Sequence, residues 1–265
     1  MHNTQMMHKP KKSLGQNFIL SSHTAKKLID LAGDLNGFNV IEIGPGYGSL
    51  TKEILKRNPK FLLAIEKDTN LIKQHDQLLG LYKGKYKIIE ADALHIKETE
   101  FIEPPIKIIA SLPYNISVAL FLKWLDNIAN FTNLTLIFQK EVAKRIVAQP
   151  HSKDYGYLSI ISQLLCKVEI KFDLLPEEFF PKPKVNSSVI TVNPLPLQRF
   201  EIDINALKKL VQVVFVKRRK MLKTSLKNIL NSKYDIFKSA QLTGNERPED
   251  VTIEQLCVLA VLFKN

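Results

Sequence analysis

Short apolar runs alternate with amphipathic stretches through the first half of the chain. The runs are four or five residues long and rich in Ile, Leu and Val, which is typical of buried strands. They occupy residues 40–43, 61–65, 87–90, 106–110 and 134–138. The stretches between them have the spacing of amphipathic helices, at 50–57, 70–79 and 118–129. This alternation predicts an α/β fold with a Rossmann-like, mostly parallel sheet and helices on both of its faces.

The pattern changes in the last third of the chain. Residues 168–174 and 189–192 predict two more strands, which we expect to close the sheet as an antiparallel pair. Pro194-Leu195-Pro196 then interrupts the pattern, and the apolar residues after it recur at helical spacing. We therefore predict two domains, an α/β domain over residues 1–194 and a small helical domain over residues 195–265.

Charge is the informative part of the composition. The 265 residues include 38 Lys and Arg against 26 Asp and Glu, which gives a formal net charge of +12 and a pI near 9.5. Ten of these cations, with a single acid, lie between Ala206 and Lys238. Such an excess favours an anionic partner, most commonly nucleic acid, although a basic protein without that partner has the same composition.

The sequence disfavours several other classes of protein. Cys166 and Cys257 are too few for a disulfide framework and have no metal-ligand spacing around them, so we expect no bound metal. No apolar run reaches the ~18 residues of a membrane span, and the polar N-terminus does not resemble a secretory signal. We expect a cytoplasmic protein that is not embedded in a membrane.

Three glycines follow the first predicted strand directly, in Gly44-Pro45-Gly46-Tyr47-Gly48. Glycine lets the backbone turn sharply and approach a ligand closely at the carboxyl end of a parallel sheet. The spacing differs from the dinucleotide-binding pattern G-x-G-x-x-G, because a serine stands where the third glycine would be. The loop alone is also compatible with a turn that binds no ligand.

Two acids end the next two predicted strands. Glu66 lies 22 positions after Gly44, a distance at which an acid can accept hydrogen bonds from ribose hydroxyls. Asp92 could accept from the amine of a cofactor adenine, or it could cap the turn that follows. A solvated carboxylate is the simpler interpretation of either acid alone. Beside Gly44 and Gly46, the two acids together favour a cofactor that carries adenosine.

The segment Ile41-Glu42-Ile43-Gly44-Pro45-Gly46 resembles the first motif of class I methyltransferases that use S-adenosylmethionine. The resemblance implies S-adenosylmethionine as the cofactor. A nicotinamide dehydrogenase fits these residues too, so the motif does not decide the class of enzyme by itself.

The fourth predicted strand ends in Ser111-Leu112-Pro113-Tyr114. This tetrapeptide resembles the [N/D/S]-[P/I/L]-P-[Y/F] motif of enzymes that methylate exocyclic amines of bases. The N6 lone pair of adenine is delocalised into the ring, so acceptors aimed at its N–H bonds would make it a better nucleophile. The Ser111 hydroxyl and the Leu112 carbonyl would be those acceptors. Pro113 would fix the turn, and the Tyr114 ring would stack on the base, worth about 1–3 kcal/mol. An ordinary strand-ending turn is the simpler alternative.

Further segments extend the resemblance from about Lys11 to the C-terminus: residues 12–19, residues 139–145 with 152–159, and residues 179–189. Together with the glycine loop and the tetrapeptide, they resemble the adenine N6-dimethyltransferases of small-subunit rRNA, the kasugamycin-resistance methyltransferase family. The resemblance implies that two adjacent adenosines in the 3′-terminal stem-loop of small-subunit (16S) rRNA are each methylated twice. It also implies action on an assembling 30S subunit, and we expect the chain to be a monomer.

The resemblance also implies roles for individual residues. Asn17, Ile19 and Ser111 would contact S-adenosylmethionine, and Phe179 would pack on the face of the target base opposite Tyr114. The likeness of Phe215-Val216-Lys217-Arg218-Arg219-Lys220 to the family's F-x-x-R-R-K pattern implies binding of RNA phosphates. The residues assigned to that contact are Lys217, Arg218, Arg219, Lys220 and Lys223.

Ser111 is the one departure from the family pattern, which usually has Asn at this position. A hydroxyl is a shorter acceptor than an amide oxygen, yet we expect activity to survive the change. Three alternative functions are weighed against the small-subunit enzyme. They are a large-subunit rRNA methyltransferase of the antibiotic-resistance type, a non-catalytic ribosome-assembly factor on the same scaffold, and a more distant nicotinamide enzyme.

Overall fold

The structure is a computed structural model that describes residues 10–11, 14–195, 202–230 and 235–263, without the side chain of Asp235. Within these residues the strands are β1 (Phe18–Ile19), β2 (Asn39–Ile43), β3 (Phe61–Glu66), β4 (Tyr86–Glu90), β5 (Ile106–Ser111), β6 (Phe131–Gln139), β7 (Cys166–Leu174), β8 (Phe179–Phe180) and β9 (Ser187–Pro194). No helix in the described part of the chain is long and apolar enough to cross a membrane.

The helices of the described residues fall between these strands and after the last of them. They are α1 (Ser22–Leu31), α2 (Ser49–Lys56), α3 (Thr69–Ile72), α4 (Asp76–Leu81), α5 (Ser117–Asp126), α6 (Lys140–Val147), α7 (Tyr157–Leu165), α8 (Ile204–Val216), α9 (Leu222–Ser225), α10 (Asp235–Ser239) and α11 (Ile253–Leu259). Short 3-10 helices lie at Lys73–His75, Glu98–Glu100, Ile128–Asn130, Pro176–Glu178, Pro248–Asp250 and Ala260–Phe263.

Seven strands form one sheet in the order β4-β3-β2-β5-β6-β9-β7. The first five are parallel neighbours, and β9 runs antiparallel to β6. The predicted α/β class and its doubly wound sheet are therefore confirmed. Strand order reverses at β2, since β3 lies on one side of it and β5 on the other. Ligands bind in such sheets outside the carboxyl ends of the strands at this switch point.

The central strands are covered on both faces, which explains why apolar residues predominate in them. All five residues of β2 are buried, as are the first five of β5. Two residues of β2 are polar, Asn39 and Glu42, and the acid is 1% exposed two positions before Gly44. Burial of a carboxyl group is costly unless it is hydrogen-bonded or protonated, and the surroundings of Glu42 are described with the site below.

The chain divides into two compact units, which differ from the predicted domains in the placement of one internal segment. The first unit holds the described residues up to Ala143 together with Glu169–Pro194. The second holds Lys144–Val168 and the described residues from Leu195 onward. The chain passes from the first unit to the second at Leu195, beside the predicted boundary. Residues 144–168, which the sequence assigns to the first domain, group with the C-terminal helices instead.

Contacts inside the second unit explain this grouping. The rings of Tyr155 and Phe215 meet edge to face, with centroids 6.2 Å apart. Arg218 donates from Nη2 to the backbone carbonyl of Ser152 at 3.0 Å. These long-range contacts involve an aromatic pair and one guanidinium, which apolar periodicity along the sequence does not reveal.

Candidate active site

The carboxyl ends of β2, β3 and β5 border a cleft at the switch point of the sheet. The cleft encloses about 760 Å³ of space, part of which is open solvent. Its walls come from the N-terminal segment, the glycine loop, the ends of β2, β3 and β5, the segment after β4 and the turn after β5. They are Leu14, Gly15, Gln16, Asn17, Phe18, Ile43, Gly44, Ile65, Glu66, Lys67, Ala91, Asp92, Ala93, Ser111, Pro113, Asn115 and Ile116.

The glycine loop requires its glycines. Gly44 and Gly46 have φ of 65° and 55°, in the left-handed region that side chains with a Cβ rarely adopt. A Cβ on Gly46 would also lie 2.4 Å from Cδ1 of Phe18, so the aromatic ring occupies the space that a side chain would need. The loop is thus shaped both by its backbone conformation and by the segment packed on it.

His75 holds the loop from beneath. Its Nε2 lies 2.9 Å from the carbonyl oxygen of Gly46, and its Nδ1 lies 2.7 Å from the hydroxyl of Tyr86. Because a carbonyl can only accept, Nε2 carries the proton and Nδ1 accepts from the tyrosine. Burial lowers the pKa of His75, which keeps the imidazole neutral in this arrangement. Sequence patterns gave no sign of this residue.

Glu66 ends β3 with its carboxylate at the cleft and 7% of the residue exposed. Oε1 accepts from the backbone N–H groups of Lys67 and Asp68 at 2.8 and 2.9 Å, and Oε2 accepts from Gly46 N at 3.4 Å. Burial raises the pKa of Glu66, and these three N–H groups partly offset that rise. The carboxylate therefore links the end of β3 to the glycine loop while it faces the cleft.

Asp92 both caps a turn and lines the cleft. Its Oδ1 accepts from Leu94 N at 3.0 Å, and its Oδ2 pairs with Lys67 Nζ at 2.7 Å. Lys67 is the largest cause of a lowered pKa of Asp92, so the group is a carboxylate at neutral pH. Asp92 can therefore cap the turn and face a ligand in the cleft at the same time.

Glu42 lies under the loop and is a buried acid rather than a carboxylate. Its Oε2 accepts from the hydroxyl of Thr51 at 2.7 Å. Burial raises the pKa of Glu42 to about 8 from an ordinary value of 4.5, and the nearby Glu66 adds to the rise. The proton that Glu42 retains at neutral pH limits charge repulsion between the two acids.

We expect Glu42→Gln to flatten the pH dependence of stability. A raised folded-state pKa means that Glu42 contributes fully below pH 4.5, and that the contribution is lost as pH rises toward about 8, because only the unfolded state releases the proton. At pH 9 the variant should melt roughly 5 °C or more above the wild type. Melting curves from pH 5 to 9 measure this, with the exposed Glu100→Gln as control. Equal pH profiles for wild type and Glu42→Gln would contradict the assignment.

The N-terminal segment crosses the cleft and is fixed at both ends. At one end, Lys11 Nζ and Gln16 Nε2 donate to the two carboxylate oxygens of Asp68 at 2.8 and 3.1 Å. At the other, the hydroxyl of Ser49 donates to the carbonyl of Ile19 at 2.9 Å. The predicted contact residue Asn17 lies between these anchors and lines the cleft.

The ribbon of β1 and β8 places the predicted residues Ile19 and Phe179 opposite each other. Both belong to the buried core, at 4% and 3% exposed, although Ile19 also borders a small cavity beside Ser111. Residue 180, the neighbour of Phe179, is 38% exposed. A base could reach the ring of Phe179 only after the side chains around it move, so its stacking role stays a prediction.

The predicted tetrapeptide begins at the last residue of β5, and two of its four residues border the cleft. Ser111 and Pro113 line the cleft, while Leu112 is 3% exposed. Within the described residues, the Ser111 hydroxyl makes no hydrogen bond, which leaves its lone pairs available. The Tyr114 hydroxyl lies 2.6 Å from the hydroxyl of Ser187, the fully buried first residue of β9. Burial raises the pKa of Tyr114, so the phenol stays neutral.

Two comparisons identify the family. A family model described as ribosomal RNA adenine dimethylase matches residues 7–265. A protein of Wolbachia sp. subsp. Drosophila simulans (strain wRi) named Ribosomal RNA small subunit methyltransferase A is 65% identical over 252 residues, which cover 95% of this chain and 93% of the relative.

The chain belongs to the ribosomal RNA adenine dimethylases. A protein of the same name from Ehrlichia canis (strain Jake) is 47% identical over 95% of this dimethylase and 96% of the relative. The fold is shared with a dimethyladenosine transferase from Plasmodium falciparum, with a TM-score of 0.79 and 24% identity over 91% of this chain and 95% of that one. It is also shared with the 23S rRNA methyltransferase ErmE, with a TM-score of 0.68 and 21% identity over 94% and 100%.

The basic residues predicted to bind RNA lie in the second unit of this dimethylase. Lys217, Arg219, Lys220 and Lys223 are exposed around the turn after α8. Arg218 differs from them, because its Nε pairs with Glu249 at 2.6 Å and its Nη2 donates to a backbone carbonyl. The structure thus gives Arg218 intramolecular partners that the charge pattern did not reveal.

Proposed function

We propose that this dimethylase transfers methyl groups from S-adenosylmethionine to N6 of two adjacent adenosines in the 3′-terminal stem-loop of small-subunit rRNA. One observation carries the proposal: Glu66 and Asp92 line the same cleft as Ser111 and Pro113. Groups suited to an adenosine-bearing cofactor and groups suited to an exocyclic amine thus share one space. Membership of the family supports the same reaction.

The residues of the cleft fit S-adenosylmethionine. Glu66 would accept from the ribose hydroxyls and Asp92 from the adenine amine, while Ile65 and Ala93 offer apolar walls to the adenine ring. Asn17 and Ile19 would cover the cofactor from the N-terminal side, and Gly44 and Gly46 would let the backbone approach it. When bound, S-adenosylmethionine supplies a strongly electrophilic sulfonium methyl group, so the protein needs to position the amine.

The turn after β5 would perform that positioning. The hydroxyl of Ser111 and the carbonyl of Leu112 would accept from the two N–H bonds of N6 and direct its lone pair toward the methyl group. Tyr114 would hold the extruded base by stacking, and Pro113 fixes the backbone between them. Catalysis would rest on orientation and on polar groups held in place before the base arrives.

Small-subunit rRNA is favoured over large-subunit rRNA by the relatives rather than by the fold. ErmE shares the fold, so architecture does not discriminate between the two substrates. The more similar relatives carry the name Ribosomal RNA small subunit methyltransferase A. A nicotinamide enzyme has no support from any of them. Action on an assembling small subunit would place the activity in the cytoplasm, with the chain acting as a monomer.

Transfer of labelled methyl groups to purified unmethylated ribosomal subunits tests the proposal. We expect label in small subunits and not in large ones, at two adjacent adenosines that each carry two methyl groups. Label confined to large subunits would establish the antibiotic-resistance type instead. Tight cofactor binding without transfer to either subunit would favour a non-catalytic assembly factor.

Ser111 allows a narrower test of the reacting centre. We expect Ser111→Ala to lower kcat about two- to tenfold, the effect of one lost hydrogen bond of about 0.5–1.5 kcal/mol, because the Leu112 carbonyl remains. Ser111→Asn restores the usual family residue and should be at least as active as the wild type. Single-turnover methylation of small subunits measures both. An inactive wild type that Asn rescues would contradict a working serine.

A further inference from the structure

A loop and a turn that are far apart in the sequence meet in the second unit. Arg218 donates from Nη2 to the carbonyl of Ser152, 66 positions earlier in the chain, and from Nε to Glu249. The edge-to-face contact of Tyr155 with Phe215 joins the same two segments. Residues 151–156 are therefore fixed against the turn at residues 217–220.

The side chains that this junction leaves in solvent are mainly cationic. Lys153 directly follows the residue whose carbonyl Arg218 holds, and it is exposed, as are Lys217, Arg219 and Lys220. In the part of the chain that the structure describes, none of these four cations has a carboxylate partner. Two sequence segments thus contribute to one positively charged surface.

The nearby acids only partly offset this charge. Glu249 is paired with Arg218, and Asp250 lies 3.2 Å from His151 Nδ1. The loop is further held because His151 N donates to the carbonyl of Glu249 at 2.8 Å. Asp154 is the remaining acid of the loop, against four cations.

We propose that residues 151–154 and 217–220 form a single RNA-phosphate-binding surface in which Lys153 is a contact and Arg218 is a positioning residue. The inference rests on the proposed function for its RNA substrate. Exposed cations without carboxylate partners attract backbone phosphates and release counterions, whereas a guanidinium committed to a carboxylate and a carbonyl gives little to a phosphate. Lys153 was absent from the residues that the sequence assigned to RNA.

Charge reversal at Lys153 tests the surface, with Lys209→Glu as the matched control. Lys209 is also exposed in the second unit, but it lies on α8 eight residues before Lys217, about 12 Å along the helix. Binding to unmethylated small subunits at several salt concentrations is the measurement. We expect Lys153→Glu to weaken binding about three- to tenfold and to reduce the salt slope by about one, while Lys209→Glu changes binding less than twofold. Equal effects of the two variants would overturn the proposal.

A double-mutant cycle tests the role of Arg218. If Arg218 holds the loop in place, Lys153→Glu should have less than a twofold effect once Arg218 is replaced by Ala. Additive effects of the two changes would show that Arg218 does not position Lys153. If Arg218→Ala fails to fold, the comparison of Lys153→Glu with Lys209→Glu still decides whether Lys153 is a contact.

Failure of this surface and failure of the proposed function are distinguishable. A wild type that methylates small subunits, with Lys153→Glu binding as the control does, would leave the function standing and remove the surface. A wild type that methylates no small subunits would remove the function, whatever the binding of the variants.

Discussion

Glu66→Ala is expected to weaken the binding of S-adenosylmethionine by two orders of magnitude or more. The carboxylate would accept from two ribose hydroxyls, and hydrogen bonds to charged groups contribute about 1.5–3 kcal/mol each. Replacement also frees the backbone N–H groups of Gly46, Lys67 and Asp68, which Glu66 now binds. The loss therefore combines ligand contacts with the shape of the glycine loop. Calorimetric titration with S-adenosylhomocysteine measures it.

The neighbouring strand provides a matched control for this variant. Glu90 is the register partner of Glu66 on β4 and is exposed, so Glu90→Ala should leave cofactor affinity unchanged. Glu66→Gln keeps the size of the side chain and one acceptor oxygen, and should give an intermediate affinity if the alanine variant folds poorly. Wild-type affinity in Glu66→Gln and Glu66→Ala would contradict a ribose-binding role.

Tyr114→Ala is expected to lower kcat/KM for small subunits about 5- to 150-fold, the equivalent of about 1–3 kcal/mol of stacking on one base. Cofactor affinity should not change, because Tyr114 is not among the residues that line the cofactor cleft. Tyr114→Phe keeps the ring and loses the hydrogen bond with Ser187, so we expect a loss of about two- to tenfold. Methylation by Tyr114→Ala at the wild-type rate would exclude the stacking role.

A variant of Ser187 tests whether the hydrogen bond to Tyr114 orients the tyrosine ring. Ser187→Ala breaks the same hydrogen bond from the other side, so it should match Tyr114→Phe in kcat/KM, and the double variant should be no worse than either single one. Losses that multiply in the double variant would mean that the two hydroxyls act independently. Cofactor titration of each variant shows whether the cleft is intact.

The sheet could be predicted from the sequence because local pattern determines it. The five parallel strands lie within a few residues of the predicted apolar runs, since each run must be buried on both faces. The ribbon of β1 and β8 was missed because each strand has two residues, too few for a period to show. The position of Ser111 and Pro113 at the cleft is also understandable from the sequence, because strand ends at the switch point converge.

The residues that support the site could not be predicted in the same way. Ser187 meets Tyr114 across 73 positions, and His75 meets Gly46 across 29. Each contact depends on the register of strands and helices that are distant in the sequence, and neither residue type is unusual where it stands. Arg218 illustrates a related limit. A run of basic residues indicates positive charge, but it does not show which cation hydrogen-bonds to other residues of the same protein.

The two units are interleaved along the chain, which limits the recombination and truncation events that leave both units complete. Because residues 144–168 group with the C-terminal helices, the second unit is not an appendage that one cut or one fusion could remove or add. A chain ending at residue 194 would keep α7, whose Ile160 and Ile161 are fully buried in the full-length protein. It would lose Phe215, whose ring contacts Tyr155. Recombination between relatives should therefore preserve both segments together.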